Sequence, residues 1–264
     1  MTPILILGAG RMGGALIEGW RRAGAFEAAQ LILRDPFPGS VAEAAHAAGA
    51  RLNPPDADLA EARTVVLAVK PQIWREAAVE TAPWLHAGAV VVSIAAGVRL
   101  DDLTLEFGGR SVARVMPTTA AAIGQGTASL YADDPEARLR ARALFEPLGA
   151  VVDLLDEAQM HAATAVSGSA PAYLYAFLEA LEAAGTQAGL PPEVAARLAR
   201  STISGAAALL AESREGPAEL RRQVTSPGGT TEAALKVLLG DDGLPRLLRE
   251  AVAQAARRSK ELGG

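Results

Sequence analysis

Residues 224–231, Val-Thr-Ser-Pro-Gly-Gly-Thr-Thr, combine two adjacent glycines with four hydroxyl side chains. Adjacent glycines make a tight turn that can offer several backbone N–H groups to one anion. The hydroxyls of Thr225, Ser226, Thr230 and Thr231 surround it, and residues 224–231 contain no carboxylate to repel that anion. A second glycine motif, Gly8-Ala9-Gly10-Arg11-Met12-Gly13, stands at the opposite end of the chain. It fits G-x-G-x-x-G: the first glycine allows the turn, the second lets a pyrophosphate approach, and the third lets a helix pack on a sheet. A helix start just after it supplies N–H groups and a positive dipole end to phosphate. Gly8, Gly10, Arg11, Met12 and Gly13 are thus candidate contacts to a dinucleotide. The two motifs read as halves of a two-ligand site, with a small anionic substrate at the later one.

The elements that must carry these motifs follow from periodicity. Pro3 to Leu7, Leu31 to Leu33, Thr64 to Val69, Ala89 to Ile94, Val112 to Val115 and Thr127 to Tyr131 read as strands. Arg11 to Ala23, Val41 to Ala48 and Gln72 to Trp84 read as helices between them. Alternation of this kind predicts an α/β fold, a Rossmann-type doubly wound parallel sheet with helices on both faces. Strand C-termini are where such sheets bind ligands, so Ala68, Val69, Lys70 and Pro71, and then Ala95, Ala96 and Gly97, join the cofactor candidates. At the end of the second strand Asp35 would hydrogen-bond a ribose 2′-hydroxyl and favour NADH. Arg34 beside it would pair with a 2′-phosphate and favour NADPH, and the sequence leaves both open.

From Glu157 onward the β-branched runs stop. Helical stretches follow at Gln159 to Gly189, Pro192 to Glu212, Pro217 to Val224, Thr231 to Leu239 and Leu244 to Leu262. The predicted organisation is a dinucleotide-binding domain over 1–156 and an all-helical substrate and dimerisation domain over 157–264. Ala162 to Ala188 is small or apolar on nearly every face, so a helix there needs cover on several sides. A partner subunit is the expected cover. The remaining bulk properties are mostly exclusions. The chain of 264 residues has no cysteine, which removes disulfides, thiolate nucleophiles and cysteine-ligated metals. Its three histidines, His46, His86 and His161, are too far apart to suggest a metal motif. A net charge of −5 with scattered Lys and Arg argues against a nucleic-acid or anionic-membrane surface. No leader pattern or apolar run of about 20 residues is apparent, so a cytoplasmic protein is expected.

Five segments together resemble the pyrroline-5-carboxylate reductases. They are residues 8–13, Ala68-Val69-Lys70-Pro71-Gln72, Ser93-Ile94-Ala95-Ala96-Gly97, Ser167-Gly168-Ser169-Ala170-Pro171-Ala172-Tyr173, and residues 224–231. The resemblance implies reduction of Δ1-pyrroline-5-carboxylate to L-proline by NADPH or NADH, the last step of proline biosynthesis. It also implies a helical domain that interlocks two subunits, with five such dimers forming a decamer in many members. Carried over by position, Ser226, Gly228, Gly229, Thr230 and Thr231 hold the substrate carboxylate, and the Thr231 hydroxyl faces the ring nitrogen. Asn53 matches an asparagine at the adenosine ribose. Three positions depart from the family pattern: Thr118 stands where asparagine is usual, Ala120 where proline is usual, and Ala170 where glycine is usual.

The chemistry asks little of the protein. A protonated cyclic imine is electrophilic, so a dinucleotide holder, a carboxylate clamp and a hydrogen bond to nitrogen suffice. No metal or nucleophile is needed, and positioning two reactants can supply about 7–11 kcal/mol. Two rivals remain. A hydroxyacid dehydrogenase on the same plan would need a catalytic lysine in the helical half, where only Lys236 and Lys260 occur, outside any comparable motif. A dinucleotide-sensing protein without catalysis would fit the altered residues 118–120 but not an intact substrate turn.

Overall fold

Residues 1–263 are described by a computed structural model. By packing the chain divides into two compact units, one of residues 1–169 joined by the segment from Ala253 onward, and one of Ala170–Val252.

In the first unit the strands are β1 (Ile4–Leu7), β2 (Leu31–Arg34), β3 (Arg51–Leu52), β4 (Thr64–Leu67), β5 (Val90–Ser93), β6 (Val112–Pro117), β7 (Gly126–Tyr131) and β8 (Gly149–Asp153). They form one sheet in the order β3-β2-β1-β4-β5-β6-β7-β8. Every neighbouring pair is parallel except β6 and β7. Residues of one strand alternate between faces, and both faces are apolar here. Ile4, Ile6, Leu31, Leu33, Val66 and Val92 enter one core, whereas Leu5, Leu7, Ile32, Val65, Leu67 and Val91 enter the other. On the first face Trp20 is fully buried, and its indole N–H donates to the Leu144 carbonyl at 2.7 Å. Chain order reverses between β1 and β4, which is the switch point where such sheets open a ligand crevice.

The helices of this unit include α1 (Arg11–Ala23), α2 (Ser40–Ala47), α3 (Trp74–Thr81), α4 (Leu100–Glu106), α5 (Pro135–Phe145) and α6 (Gln159–Ala163). The sheet has two strands beyond the six expected, β3 and β8, and α4 and α5 are also additional to the sequence reading. β3 is only two residues long, too short for a periodic signal. α5 begins at Asp134, whose carboxylate accepts the Ala137 N–H, followed by Pro135 in the first turn.

The second unit contains α7 (Ala170–Gln187), α8 (Pro192–Glu212), α9 (Pro217–Gln223), α10 (Thr230–Leu238) and the first part of α11 (Leu244–Glu261). The expected single helix from Gln159 to Gly189 is broken. A π-helical turn at Thr164–Gly168 follows α6, closed by Ser169 N–H to the Thr164 carbonyl at 2.9 Å. Two causes act together. The Thr164 and Ser167 hydroxyls donate to carbonyls four residues back, and Pro171 has no N–H with which to continue the ladder. α7 has no buried residue in the single chain: Leu174 and Tyr175 are 45% and 62% exposed. α8 leaves Leu198, Leu209 and Leu210 exposed as well.

Candidate cofactor cleft and anion turn

A cleft of about 840 Å³ opens at the C-terminal ends of β1, β2 and β4. It is lined by Gly8, Gly10, Arg34, Asp35, Asn53, Ala68, Val69 and Lys70, all expected from the sequence. The glycine turn fits a dinucleotide for steric reasons. A Cβ on Gly13 would lie 2.1 Å from the Gly8 carbonyl oxygen, so only glycine lets α1 start this close to the turn. A Cβ on Gly10 would meet nothing within 4 Å, which leaves open the side from which a pyrophosphate approaches. Gly10 is also the N-cap of α1 and gives no side-chain cap, so the positive helix end keeps first-turn N–H groups for an anion. Arg11 and Met12 occupy that first turn, Arg11 exposed and Met12 packed on the core.

The end of β2 is tied down through several hydrogen bonds. The Asp35 carboxylate accepts the Ala9 N–H at 2.7 Å and the Phe37 N–H at 2.8 Å, so it braces the glycine turn. Asn53 grips the Asp35 main chain from both sides: its Oδ1 accepts the Asp35 N–H, and its Nδ2 donates to the Asp35 carbonyl. Asn53 does so at φ 48°, a left-handed conformation that asparagine tolerates better than most residues. The Arg34 guanidinium turns away, to the Pro54 carbonyl at 2.9 Å and the Asp56 carboxylate at 2.6 Å.

Several lining residues escape the sequence reading. Phe37 borders the cleft and is 88% exposed. Ile73, Glu76, Ala77, Glu80 and Thr81 come from α3 and the residue before it. Their spacing of three and four places them on one helical face, a signal present in the sequence once the helix is placed after Lys70-Pro71.

Pro71, Ala95, Ala96 and Gly97 do not line this cleft. Ala95 is buried in the second core, and Gly97 packs on the returning C-terminal segment, where a Cβ would lie 2.6 Å from the Ser259 carbonyl oxygen. Beyond that turn lies a polar cluster. Arg114, on β6 with its side chain 4% exposed, donates to Glu157 at 2.6 Å. The same Glu157 oxygen accepts the Leu100 N–H at the start of α4, also at 2.6 Å. His161 bonds the Ser259 hydroxyl through Nδ1 at 3.0 Å. Burial first, then the charges of Arg114 and Lys260, hold the His161 pKa below its ordinary value, against a smaller opposing pull from Glu157. Thr118 is buried in the β6–β7 connection, where its hydroxyl accepts the Thr127 N–H at 3.0 Å. That side chain has a structural bond and does not line the cleft.

In the second unit the 226–231 turn precedes α10. Gly229 N–H donates to the Ser226 carbonyl, Gly228 adopts φ 71°, and a Cβ on Gly229 would sit 2.4 Å from the Ser226 hydroxyl oxygen. Gly229 is the N-cap and supplies no side-chain cap, so neither Thr230 nor Thr231 is spent on capping. The Thr225 hydroxyl instead donates to the Arg221 carbonyl and leaves the anion group. A carboxylate does reach the turn: Glu232, one residue past the motif, accepts the Gly228 N–H at 2.8 Å. This is a local bond at the start of α10, made by one backbone N–H across four residues. Among the described residues no cluster of His, Asp and Glu could hold a metal ion, and no helix is long and apolar enough to cross a membrane.

Comparison with known proteins covers both ends of the chain. Residues 157–262 match the family described as pyrroline-5-carboxylate reductase dimerisation, and residues 3–97 match NADP oxidoreductase coenzyme F420-dependent. The pyrroline-5-carboxylate reductase of Pseudomonas aeruginosa is 41% identical, across 99% of this chain and 97% of its own length. The structure of a pyrroline-5-carboxylate reductase from Coxiella burnetii superposes with a TM-score of 0.90 at 30% identity, covering 100% and 99% of the two chains. The Plasmodium falciparum pyrroline carboxylate reductase with NADP bound gives 0.86 at 26% identity, covering 100% and 98%.

Proposed function

The chain belongs to the pyrroline-5-carboxylate reductase family, and on that footing we propose that it reduces Δ1-pyrroline-5-carboxylate to L-proline with NAD(P)H, the last step of proline biosynthesis. The observation that carries the proposal is the presence in one chain of a dinucleotide cleft and a glycine–hydroxyl turn leading into a helix with no side-chain cap.

The division of labour follows from the residues. A bound nicotinamide supplies the hydride for the C=N carbon. The uncapped start of α1, with Gly8, Gly10 and Gly13 keeping side chains away, holds the pyrophosphate. Asp35 and Asn53 hold the adenosine ribose, while Lys70, in the turn after β4, adds positive charge to the cleft. Ala95, Ala96 and Gly97, on the turn that leads to Leu100, whose N–H donates to Glu157, border the nicotinamide half. Ser226, Gly228, Gly229 and Thr230 clamp the substrate carboxylate, which takes the Gly228 N–H from Glu232. Thr231 orients the ring nitrogen by hydrogen bonding, and water completes proton transfer, since a threonine hydroxyl is a poor acid. Most of the acceleration comes from holding the imine carbon and the hydride donor together.

The helical domain, residues 157–264 in this reading, pairs with a second copy, and such dimers assemble further into a decamer in the cytoplasm. The exposed leucines of α7 and α8 support the pairing, because exposed apolar area on this scale is unusual for a chain that stays alone.

The test is direct. Purified protein oxidises NADH or NADPH when given the pyrroline substrate, and Thr231→Ala lowers kcat by roughly 10²-fold or more while dinucleotide binding stays about constant. Protein that binds a dinucleotide but turns over no pyrroline substrate with either cofactor refutes the assignment.

A further inference from the structure

We propose that Asp35 makes this enzyme prefer NADH to NADPH, by fixing a carboxylate where the adenosine 2′ substituent docks; this rests on the function proposed above. Sequence alone sets Asp35 against Arg34, two adjacent residues with opposite preferences. The structure separates them. Asp35 is part of the cleft wall and cannot easily leave it. Two backbone N–H groups hold its carboxylate, and both ends of the Asn53 amide hold its peptide. Lone pairs remain on the oxygens for a ribose hydroxyl, which donates, whereas a phosphate only accepts.

Arg34 also lines the cleft, but its guanidinium is committed elsewhere. One terminal nitrogen donates to the Pro54 carbonyl and the other to Asp56. The other charged groups lining the cleft are Glu76, Glu80 and Lys70. Lys70 lies in the turn after β4, three residues past its end, and is the one cation besides Arg34 among the residues that line the cleft. A 2′-phosphate at this end of the cleft therefore meets the fixed carboxylate of Asp35, and the cation nearest Asp35 in sequence is already paired. A phosphomonoester carries about 1.5 to 2 negative charges, so even with nearly full solvent screening a single carboxylate at contact costs roughly tenfold in affinity.

The experiment measures dissociation constants for NADH and NADPH by nicotinamide fluorescence, together with kcat/KM for each with pyrroline-5-carboxylate. Four proteins are compared: wild type, Asp35→Asn, Asp35→Ser and Arg34→Ala. Wild type is expected to bind NADH at least about tenfold tighter than NADPH. Asp35→Asn keeps an acceptor for the Ala9 N–H, and hence the turn, while removing the charge. Both Asp35 variants should shift the preference toward NADPH by about tenfold or more, and Arg34→Ala should leave it nearly unchanged.

A wild-type preference for NADPH overturns the proposal. So does an Asp35→Asn preference within about twofold of wild type, or a selective loss of NADPH binding in Arg34→Ala. Tight NADH binding with no pyrroline turnover would strike the assigned reaction and leave the role of Asp35 standing. Failure to bind either dinucleotide would refute both.

Discussion

Replacing Glu157 by alanine should destabilise the first unit and disturb turnover together. Arg114 has only 4% of its side chain exposed, and Glu157 is its partner at 2.6 Å. Deleting one member of a buried pair leaves the other uncompensated, which costs about 3–5 kcal/mol. Glu157 itself is 23% exposed, so water can reach part of the gap and the lower end, about 3 kcal/mol, is the expected value. That figure includes the lost acceptor for the Leu100 N–H at the start of α4. For a unit of this size each kcal/mol moves the melting temperature by about 2–4 °C, so Tm should drop by roughly 6–12 °C. Glu157→Gln still accepts the Leu100 N–H and should lose less. The double variant Arg114→Met with Glu157→Leu should recover most of the loss, because an apolar pair leaves no stranded charge. The pair also anchors the segment that follows residues 95–97, so kcat should decline in Glu157→Ala at temperatures well below its Tm. The assays are thermal denaturation by circular dichroism and steady-state kinetics on the same preparations. A Tm within about 2 °C of wild type would refute the energetic reasoning. A large Tm loss with unchanged kcat and KM would show that the pair supports the fold alone.

Three further outcomes are expected. Gly13→Ala places a Cβ at 2.1 Å from the Gly8 carbonyl oxygen, so α1 must retreat; dinucleotide affinity should fall at least about tenfold, and unchanged affinity in a fluorescence titration would contradict the turn geometry. His161 has a folded-state pKa below its ordinary 6.5, so the unfolded chain binds more protons near and below that pH and stability should fall as pH drops through it. His161→Gln should flatten that part of a Tm-against-pH curve, and an identical curve would remove His161 as the cause. Light scattering should give a mass at least twice the 27.1 kDa of one chain, whereas a single-chain mass would mean that the exposed faces of α7 and α8 need no second copy.

Local signals were enough for much of the fold. Four- to six-residue apolar strands alternate with amphipathic stretches, and this periodicity yields the parallel sheet, whereas its strand order and switch point come only from the fold. Short β3 has no period to read, and β8 is five residues opened by Gly149. The break in the predicted 159–189 helix depends on competition that propensity does not capture. Hydroxyls at 164 and 167 back-bond while Pro171 withholds a donor, and the result is a π turn in place of a continued α ladder.

The site divides the same way, according to how far apart its partners lie. G-x-G-x-x-G works through backbone contacts within six consecutive residues, so residue type and spacing are sufficient to recognise it. The adjacent Arg34 and Asp35 behave differently, because their roles depend on groups many residues away. Arg34 is drawn off by Asp56 at a separation of 22, and Asp35 is locked by Asn53 at a separation of 18. Leu100 finds its acceptor in Glu157 at a separation of 57. Only folding brings these partners together. For that reason a sequence motif can identify the kind of cofactor, while the surroundings of Asp35 and Arg34 that bear on the choice between its two forms are set by residues 18 to 22 positions away.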